Sequence, residues 1–267
     1  MNGPAISVIL SCYNSSYLLN KSIQSILSQT FKDFEFIIIN DGSNDNTLEI
    51  IQSYAKEDER IVVINQKNIG LTKSLNKAIK LSKGKYIARI DADDSSHKER
   101  LEKQYKYLEI NQDCMIVGGQ RLIVNNINNK KEKDKLPLSS ESVRKKAIKS
   151  NPFFHSLVMI RKDLFKLIGY YDESFQFVQD YELWSRVIHK YNTANLKDQL
   201  GEKIIDKAAI SFRKDISFER SIYNIRARYR NYKNGTYPKY YFIYLLRPFF
   251  KVITSFPHYL KKRFYAR

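Results

Sequence analysis

Three carboxylates stand within four residues in Asp91-Ala92-Asp93-Asp94, directly after the run from Lys85 to Ile90 that we predict to be a buried strand. Like charges this close repel one another, so the cluster is costly unless a cation neutralises it. Carboxylate oxygens are the ligands that Mg²⁺ and Mn²⁺ prefer, and these ions usually keep positions open for phosphate oxygens. In open α/β sheets, ligands bind outside the carboxyl ends of the strands, where this cluster lies. The pattern therefore indicates a site for a divalent metal and a diphosphate.

The same acidic run also suits the start of a helix, because Asp side chains cap helix N-termini and complement the helix dipole. Ser95-Ser96 and a helical stretch from Lys98 to Ile110 follow it directly. For Asp94 and Ser95, helix capping and ligand binding therefore remain equally open. For Asp91 and Asp93, we expect the metal–diphosphate site.

Strand and helix patterns alternate through the first part of the chain. Apolar runs predict strands over Ile6–Cys12, Phe34–Ile39, Ile61–Ile64 and Tyr86–Ile90, and helical apolar spacing follows the first three of them. This series predicts a largely parallel sheet with right-handed crossovers.

Shorter elements follow in the second part of the chain. We predict strands at Met115–Val117, Arg121–Val124 and Ser156–Ile160, and helices at Ser140–Lys149, Asp163–Ile168 and Asp180–Tyr191. The polar segment 125–135 is predicted to be an exposed loop. Loops are expected around residues 118–135 and 196–213, and their shapes should determine the specificity of any site that they border.

Four short motifs accompany these elements. They are Tyr13-Asn14 after the first strand, Asn40-Asp41-Gly42 after the second, Asp91-Ala92-Asp93-Asp94 after the fourth, and Gln179-Asp180 at a helix start. In this order and spacing, over roughly residues 5–190, the chain resembles the family 2 glycosyltransferases, an inverting group with the nucleotide-diphospho-sugar transferase (GT-A) fold.

The resemblance implies an α/β fold with a mostly parallel central sheet flanked by helices. Residues 1–215 would form the GT-A domain, with a nucleotide-binding half over about 1–100 and an acceptor half over about 101–215. The implied enzyme is a hexosyl- or N-acetylhexosaminyl-transferase of surface polysaccharide synthesis. It would move a sugar from a nucleotide-sugar donor, with a UDP-sugar favoured, to a glycan or lipid-linked acceptor, assisted by Mn²⁺ or Mg²⁺.

Nucleotide binding is expected at the ends of the first two strands. In the family, the residue matching Asp41 accepts a hydrogen bond from the imide N–H of uracil, and the segment matching Tyr13-Asn14 packs on the base and ribose. This chain has Asn40 where many members have an additional Asp. The alternatives are an Asx-rich turn for residues 40–46 and simple core packing for Tyr13.

Arg89 stands inside a predicted strand, where a buried guanidinium requires a partner. It could pair with Asp91 or Asp41, or face the nucleotide, and the resemblance favours a role in organising the site. The resemblance also makes Asp93 the metal ligand, while Asp91 would contact the ribose or a metal-bound water.

The resemblance makes Asp180 the general base that takes the proton of the acceptor hydroxyl. From the residues alone, an N-cap Asp at a helix start is the better interpretation. Gln179 and His155 are possible contacts of the acceptor or diphosphate. Trp184 could form an acceptor wall, although a Trp four positions along the same helix more often packs in the core.

Composition restricts the location and the binding partners that can be expected for the chain. The 267 residues carry a net charge of +18, and residues 216–267 alone contribute 12 basic residues against one acid, together with nine Tyr and six Phe. This basic aromatic tail is expected to form a helical appendage that binds an anionic membrane surface, with a solvated or dimerising element as the alternative. Two cysteines without metal-ligand spacing, and no visible signal peptide or spanning run, predict a cytoplasmic, peripherally membrane-bound protein.

Two other functions fit parts of this pattern. A sugar nucleotidyltransferase also needs Asp-bound metal, but residues 11–16 lack the Gly, Lys and Arg that hold a triphosphate. A nucleic-acid-binding protein would explain the basic tail. Carboxylates at successive strand ends would repel nucleic-acid phosphates, however, so we expect no nucleic-acid partner.

Overall fold

The computed structural model describes residues 3–205, 217–235, 237, 239–246, 248 and 253. Its strands are β1 (Ile6–Cys12), β2 (Phe34–Asp41), β3 (Ile61–Gln66), β4 (Tyr86–Arg89), β5 (Asp94–Ser96), β6 (Cys114–Asn125), β7 (Lys130–Asp134), β8 (Met159–Arg161) and β9 (Asn192–Ile205). Its α-helices are α1 (Ser16–Leu27), α2 (Thr47–Glu57), α3 (Leu71–Leu81), α4 (Arg100–Ile110), α5 (Ser140–Ala147), α6 (Leu164–Ile168), α7 (Gln179–Val187) and α8 (Ser217–Asn234). Single 3₁₀ turns lie at His155–Leu157 and Lys239–Phe242.

The strands of the described residues form one central sheet in the order β3-β2-β1-β4-β8-β6-β9-β5, with β7 paired to β6. Neighbours among β1, β2, β3 and β4 pair in parallel. Beyond β4 the sheet is mixed, because β8 runs antiparallel to both β4 and β6, while β6 and β9 are parallel. The predicted α/β architecture with a central sheet is confirmed.

Both faces of the central strands β1, β2 and β4 are buried. Alternate residues such as Ile9 and Ile37 pack into a core with α3, α5, α6 and α7. Their neighbours Val8 and Phe36 pack into a second core with α1, α2 and α4. Strands buried on both faces read as continuous apolar runs, which is why β1 and β2 stand out in the sequence.

Residues 114–125 form one strand, where two strands broken at Gly118-Gly119 were expected. The reason lies in β9: a Cβ added at Gly118 would come within 2.2 Å of Asn195 Oδ1, and one added at Gly119 within 2.4 Å of Leu200. Because these glycines have no Cβ, side chains of β9 pack against the backbone of β6 at this point, and β6 continues through them. The pairing is irregular at this point, with register shifts on either side of Gln120.

Three other local expectations are corrected. The segment 125–135 contains β7, which pairs with β6 and is joined to it by an ion pair between Arg121 and Asp134. Asp94–Ser96 is a short strand paired with β9, so Asp94 and Ser95 do not cap α4, which begins at Arg100. Residues 196–205 of the expected loop region belong to β9, and residues 206–213 lie outside the described part.

The first helix of the predicted tail packs on the body of the domain. Arg230 of α8 donates to Asp172 Oδ2 at 2.8 Å and to Glu182 Oε1 of α7 at 2.9 Å. Arg228 donates to the carbonyl oxygens of Ile148 and Lys149. Within the described residues, no helix combines the length and apolar character needed to cross a membrane.

Two adjoining cavities form the candidate active site

A first cavity of about 590 Å³ opens at the carboxyl ends of β1, β2 and β4. Its walls include Tyr13, Asn14, Asp41, Asp91 and Asp93. Parallel strands bring their carboxyl ends to the same edge of the sheet, so residues separated by up to 80 positions meet here. Arg89 lies behind this wall and is only 3% exposed.

Tyr13 and Asn14 both line this cavity but differ in their exposure and hydrogen bonding. Tyr13 is 48% exposed and lines the cavity. Asn14 has a φ of 48°, in the left-handed region that Asn tolerates better than most residues. Its N–H donates to Ser43 Oγ at 3.0 Å, and its Oδ1 accepts from the N–H of Asn44 at 2.8 Å. Through these hydrogen bonds, Asn14 connects the loop after β1 to the loop after β2.

Asp41 is buried and holds the loop before α3. Its Oδ1 accepts from Gln66 Nε2 at 2.8 Å and from the N–H of Ile69 at 3.0 Å, while Oδ2 accepts from the N–H of Gly70 at 2.9 Å. A carboxylate offers about four acceptor positions, so these three donors leave capacity for one more.

Arg89 pairs with Asp91, one of the partners expected for it. Its two terminal nitrogens each donate to a different carboxylate oxygen of Asp91, with Nη1 lying 2.6 Å from Oδ2. Burial raises the pKa of Asp91, but the charge and hydrogen bonds of Arg89 outweigh that effect and hold the pKa below its ordinary value. Asp91 is thus fixed in position and ionised.

Asp91, Asp93 and Asp94 each offer one oxygen within 4.8 Å of the others, a donor set that suits a hard divalent cation. Lys203 of β9 lies close to this cluster, with Nζ 3.9 Å from Asp93 Oδ2 and 3.8 Å from Asp94 Oδ1. Burial raises the pKa of Asp94 to about 6, and the nearby charges of Asp91 and Asp93 add to this, although Lys203 opposes it. Asp94 Oδ1 is buried with no hydrogen-bond partner in the described part of the chain.

A second cavity of about 430 Å³ adjoins the first, because Asp91 lines both. Asp180, at the start of α7, lines the second cavity and accepts a hydrogen bond from Asn151 Nδ2 at 2.5 Å. Burial raises the pKa of Asp180, although the N–H of Tyr181 and the amide of Asn151 oppose that shift. A buried carboxylate with a raised pKa and a fixed orientation can act as a general base.

His155 also lines the second cavity, with Nε2 2.8 Å from the hydroxyl of Tyr171. Burial lowers the pKa of His155 well below its ordinary value, and the charge of Arg89 adds to this, so the ring is neutral. Gln179 is buried and lines neither cavity, so its contact with the acceptor or diphosphate stays a prediction. Trp184 is corrected as an acceptor wall, because its side chain is fully buried and lines neither cavity. The Trp184 indole is fully buried between sheet and helices, where it meets the ring of Phe153 edge to face.

Two residues of the site were not predicted from the sequence. Asn151 stands before Pro152, a dipeptide typical of turns, but nothing in the sequence links it to a carboxylate 29 positions away. Lys203 is one of many lysines, and only the pairing of β5 with β9, in which Asp94 is opposite Lys203, brings it to the acidic cluster.

A model of glycosyl transferase family 2 matches residues 7–169. The chain is 38% identical over 192 residues to an uncharacterized glycosyltransferase of Methanocaldococcus jannaschii, covering 70% of this chain and 66% of that protein, slightly less than two thirds of its length. It is 34% identical over 254 residues to the putative glycosyltransferase EpsE of Bacillus subtilis, covering 92% and 88%. The amylovoran biosynthesis glycosyltransferase AmsE of Erwinia amylovora is 31% identical over 198 residues, covering 73% and 74%.

Solved structures share the fold at lower identity. A crystal structure of S. aureus TarS residues 1–349 in complex with UDP-GlcNAc has a TM-score of 0.71 and 18% identity, covering 93% of this chain and 72% of that one. The mannosyltransferase PcManGT of Pyrobaculum calidifontis, in complex with GDP-Man and Mn²⁺, has a TM-score of 0.70 and 16% identity, covering 98% and 75%.

Proposed function

The chain belongs to glycosyl transferase family 2, and we propose that it moves a sugar from a UDP-sugar to a hydroxyl of a glycan or lipid-linked saccharide with inversion at the anomeric carbon. The observation that carries the proposal is the junction of two cavities at Asp91, with Asp93 of the acidic cluster lining the first and Asp180 lining the second. A direct displacement needs this layout, because the acceptor oxygen attacks from the side opposite the leaving diphosphate.

The first cavity would hold the donor nucleotide. The exposed face of Tyr13 suits stacking on a base, and the remaining acceptor capacity of Asp41 suits the imide N–H of uracil. The UDP-GlcNAc complex of TarS, which shares the fold, supports a UDP-sugar, whereas the GDP-Man complex of PcManGT makes the guanine nucleotide the competitor to test.

The acidic cluster would hold the divalent cation, Mn²⁺ or Mg²⁺, and the PcManGT complex with Mn²⁺ supports this. We assign Asp93 as the ligand. Both oxygens of Asp91 are already engaged by Arg89, so Asp91 is better placed to contact the ribose or a metal-bound water. When bound, such an ion supplies positive charge that stabilises the departing nucleoside diphosphate.

Asp180 would take the proton of the attacking hydroxyl. Burial, a raised pKa and the fixed orientation given by Asn151 support this assignment, and His155 borders the same cavity as a neutral hydrogen-bonding group. A positioned base typically accelerates such a step by about 10²–10⁴-fold.

The pathway and location of the enzyme are also proposed. The amylovoran biosynthesis enzyme AmsE supports a place in surface polysaccharide synthesis. Beyond α8, the chain exposes Tyr240, Phe242, Ile243 and Leu246 next to an exposed Lys239, a pattern that suits an anionic membrane at its cytoplasmic face. Binding to vesicles should require anionic lipid and weaken as salt rises. Equal binding to neutral vesicles would contradict this location.

The function is tested with a thermal-shift panel of UDP, GDP, UTP and a single-stranded oligonucleotide, each with and without Mn²⁺. We expect metal-dependent stabilisation by UDP, followed by hydrolysis of one or more UDP-sugars in a donor screen. Preference for UTP with pyrophosphate release would favour a nucleotidyltransferase. Salt-sensitive oligonucleotide binding without donor hydrolysis would favour a nucleic-acid-binding protein.

A further inference from the structure

The charged side chains that line the second cavity are unevenly paired. Its carboxylates other than Asp180 each have a cationic partner, in the pairs Asp91–Arg89, Asp94–Lys203 and Asp134–Arg121. Asp180 is instead held by the neutral amide of Asn151. Lys135 and Lys146 line the same cavity, and neither has an ion-pair partner among the described residues.

The two lysines reach the cavity from separate elements. Lys135 directly follows β7 and is exposed, and Lys146 lies half-buried in the last turn of α5. Lys145, next to Lys146 in the sequence, is an ordinary surface lysine. It is exposed, pairs with Glu141 at 2.6 Å one turn earlier, and lines neither cavity. Lys146 differs from it in facing the space that leads to Asp180.

We propose that the acceptor is anionic, and that Lys135 and Lys146 bind a phosphate or carboxylate group of it while its hydroxyl faces Asp180. This inference rests on the proposed transfer function and names the substrate class that it leaves open. Ammonium groups bind oxyanions through charge-assisted hydrogen bonds. The neighbouring carboxylates do not cancel the attraction, because Arg89 and Arg121 already compensate Asp91 and Asp134.

The oxyanion could come from the phosphate that joins a saccharide to a carrier or from an acidic sugar within the glycan. Three probes separate these sources: glucose 1-phosphate, glucuronate and uncharged glucose. Their dissociation constants are measured by saturation-transfer NMR with saturating UDP and Mg²⁺, so that the first cavity is filled. We expect an anionic probe to bind at least about tenfold more tightly than glucose, and its binding to weaken as salt rises. Tighter binding of glucose 1-phosphate assigns a phosphate, and tighter binding of glucuronate assigns a carboxylate.

The variant Lys135→Met/Lys146→Met should reduce binding of the anionic probe about tenfold and leave glucose unchanged. The matched control, Lys133→Met/Lys145→Met, removes the same charge from the same two segments outside the cavity and should bind as the unaltered protein does. UDP binding and thermal unfolding of both variants establish that they are folded. Equal binding of glucose and both anions, or unchanged anion binding in the cavity variant, overturns the proposal. Failure of the unaltered protein to bind UDP would instead overturn the proposed function.

Discussion

The side-chain amide of Asn151 donates to Asp180 Oδ2 across 2.5 Å. The pair joins the segment after α5 to the first turn of α7 and fixes the direction of a partly buried carboxylate that lines the second cavity. It also stabilises the ionised form of Asp180, since a hydrogen bond to a carboxylate opposes the effect of burial on its pKa.

Asp180→Asn should lower transfer about 10²–10⁴-fold and leave UDP binding intact, because Asn preserves size and capping ability but cannot accept the proton. Donor affinity by calorimetry and single-turnover transfer provide the measurements. A folded variant with near-normal transfer would show that Asp180 only caps α7.

Asn151→Ala should move the acid limb of the kcat profile to higher pH. Burial raises the pKa of Asp180, and the base must be ionised, so transfer should already fail at a pH above the ordinary Asp pKa of about 3.9. Removing the Asn151 hydrogen bond raises that pKa further. The profile is measured with donor and metal saturating, and Ser150→Ala is the control, since Ser150 lines the same cavity without bonding Asp180. A lower rate with an unmoved profile would limit Asn151 to a structural role.

Asp93→Ala should abolish the metal-dependent part of the thermal stabilisation by UDP, because the diphosphate would lose its bridging charge. The comparison is made with Mn²⁺, with Mg²⁺ and with EDTA. Unchanged stabilisation in the presence of Mn²⁺ would remove Asp93 from the metal site.

Lys203→Met should raise the affinity for Mn²⁺ about tenfold, because it removes a positive charge from near the Asp93 and Asp94 carboxylates. Electron paramagnetic resonance of free Mn²⁺ measures the affinity without any turnover. Lys21→Met is the control, since Lys21 pairs with Glu202 beside Lys203 on β9 but not with the acidic cluster. Unchanged or weaker Mn²⁺ binding would contradict competition between Lys203 and the ion.

Arg230→Met should lower the free energy of unfolding by about 1–3 kcal/mol, because it removes one of the two cations that pair with the fully buried Glu182. Lys233→Met, an exposed change on the same helix, should have little effect. Urea denaturation distinguishes them. Equal stability of the two variants would mean that α8 is an appendage that the domain does not need.

The sequence was informative where burial alone determines structure. The predicted and observed bounds of β1 coincide at Ile6–Cys12, because a strand covered on both faces is apolar at most positions, here at all but Ser7 and Ser11. The order of the motifs after β1, β2 and β4 likewise located the first cavity, since parallel strands end at one edge of the sheet.

The sequence was least informative about pairing between distant segments. β7 is exposed and charged, so its sequence has no alternation of apolar and polar residues that could have predicted its pairing with β6. The contact of Lys203 with Asp94 spans more than 100 positions and depends on the register of β5 on β9. α8 has the composition of a membrane-surface helix, yet Arg230 and Arg228 use their charges within the fold.

Asp91 lines both cavities, so the two cavities lie side by side, and this arrangement predicts the kinetics of transfer. If the two cavities hold donor and acceptor as proposed, the sugar would pass directly from one to the other, so both substrates would have to be bound together before transfer. Initial-rate plots should therefore intersect, as they do for a ternary complex, and should not run parallel, as they do when an enzyme carries the sugar between half-reactions. A bound acceptor would also occupy the space through which water reaches the anomeric carbon, so wasteful hydrolysis of the donor should decline as acceptor concentration rises.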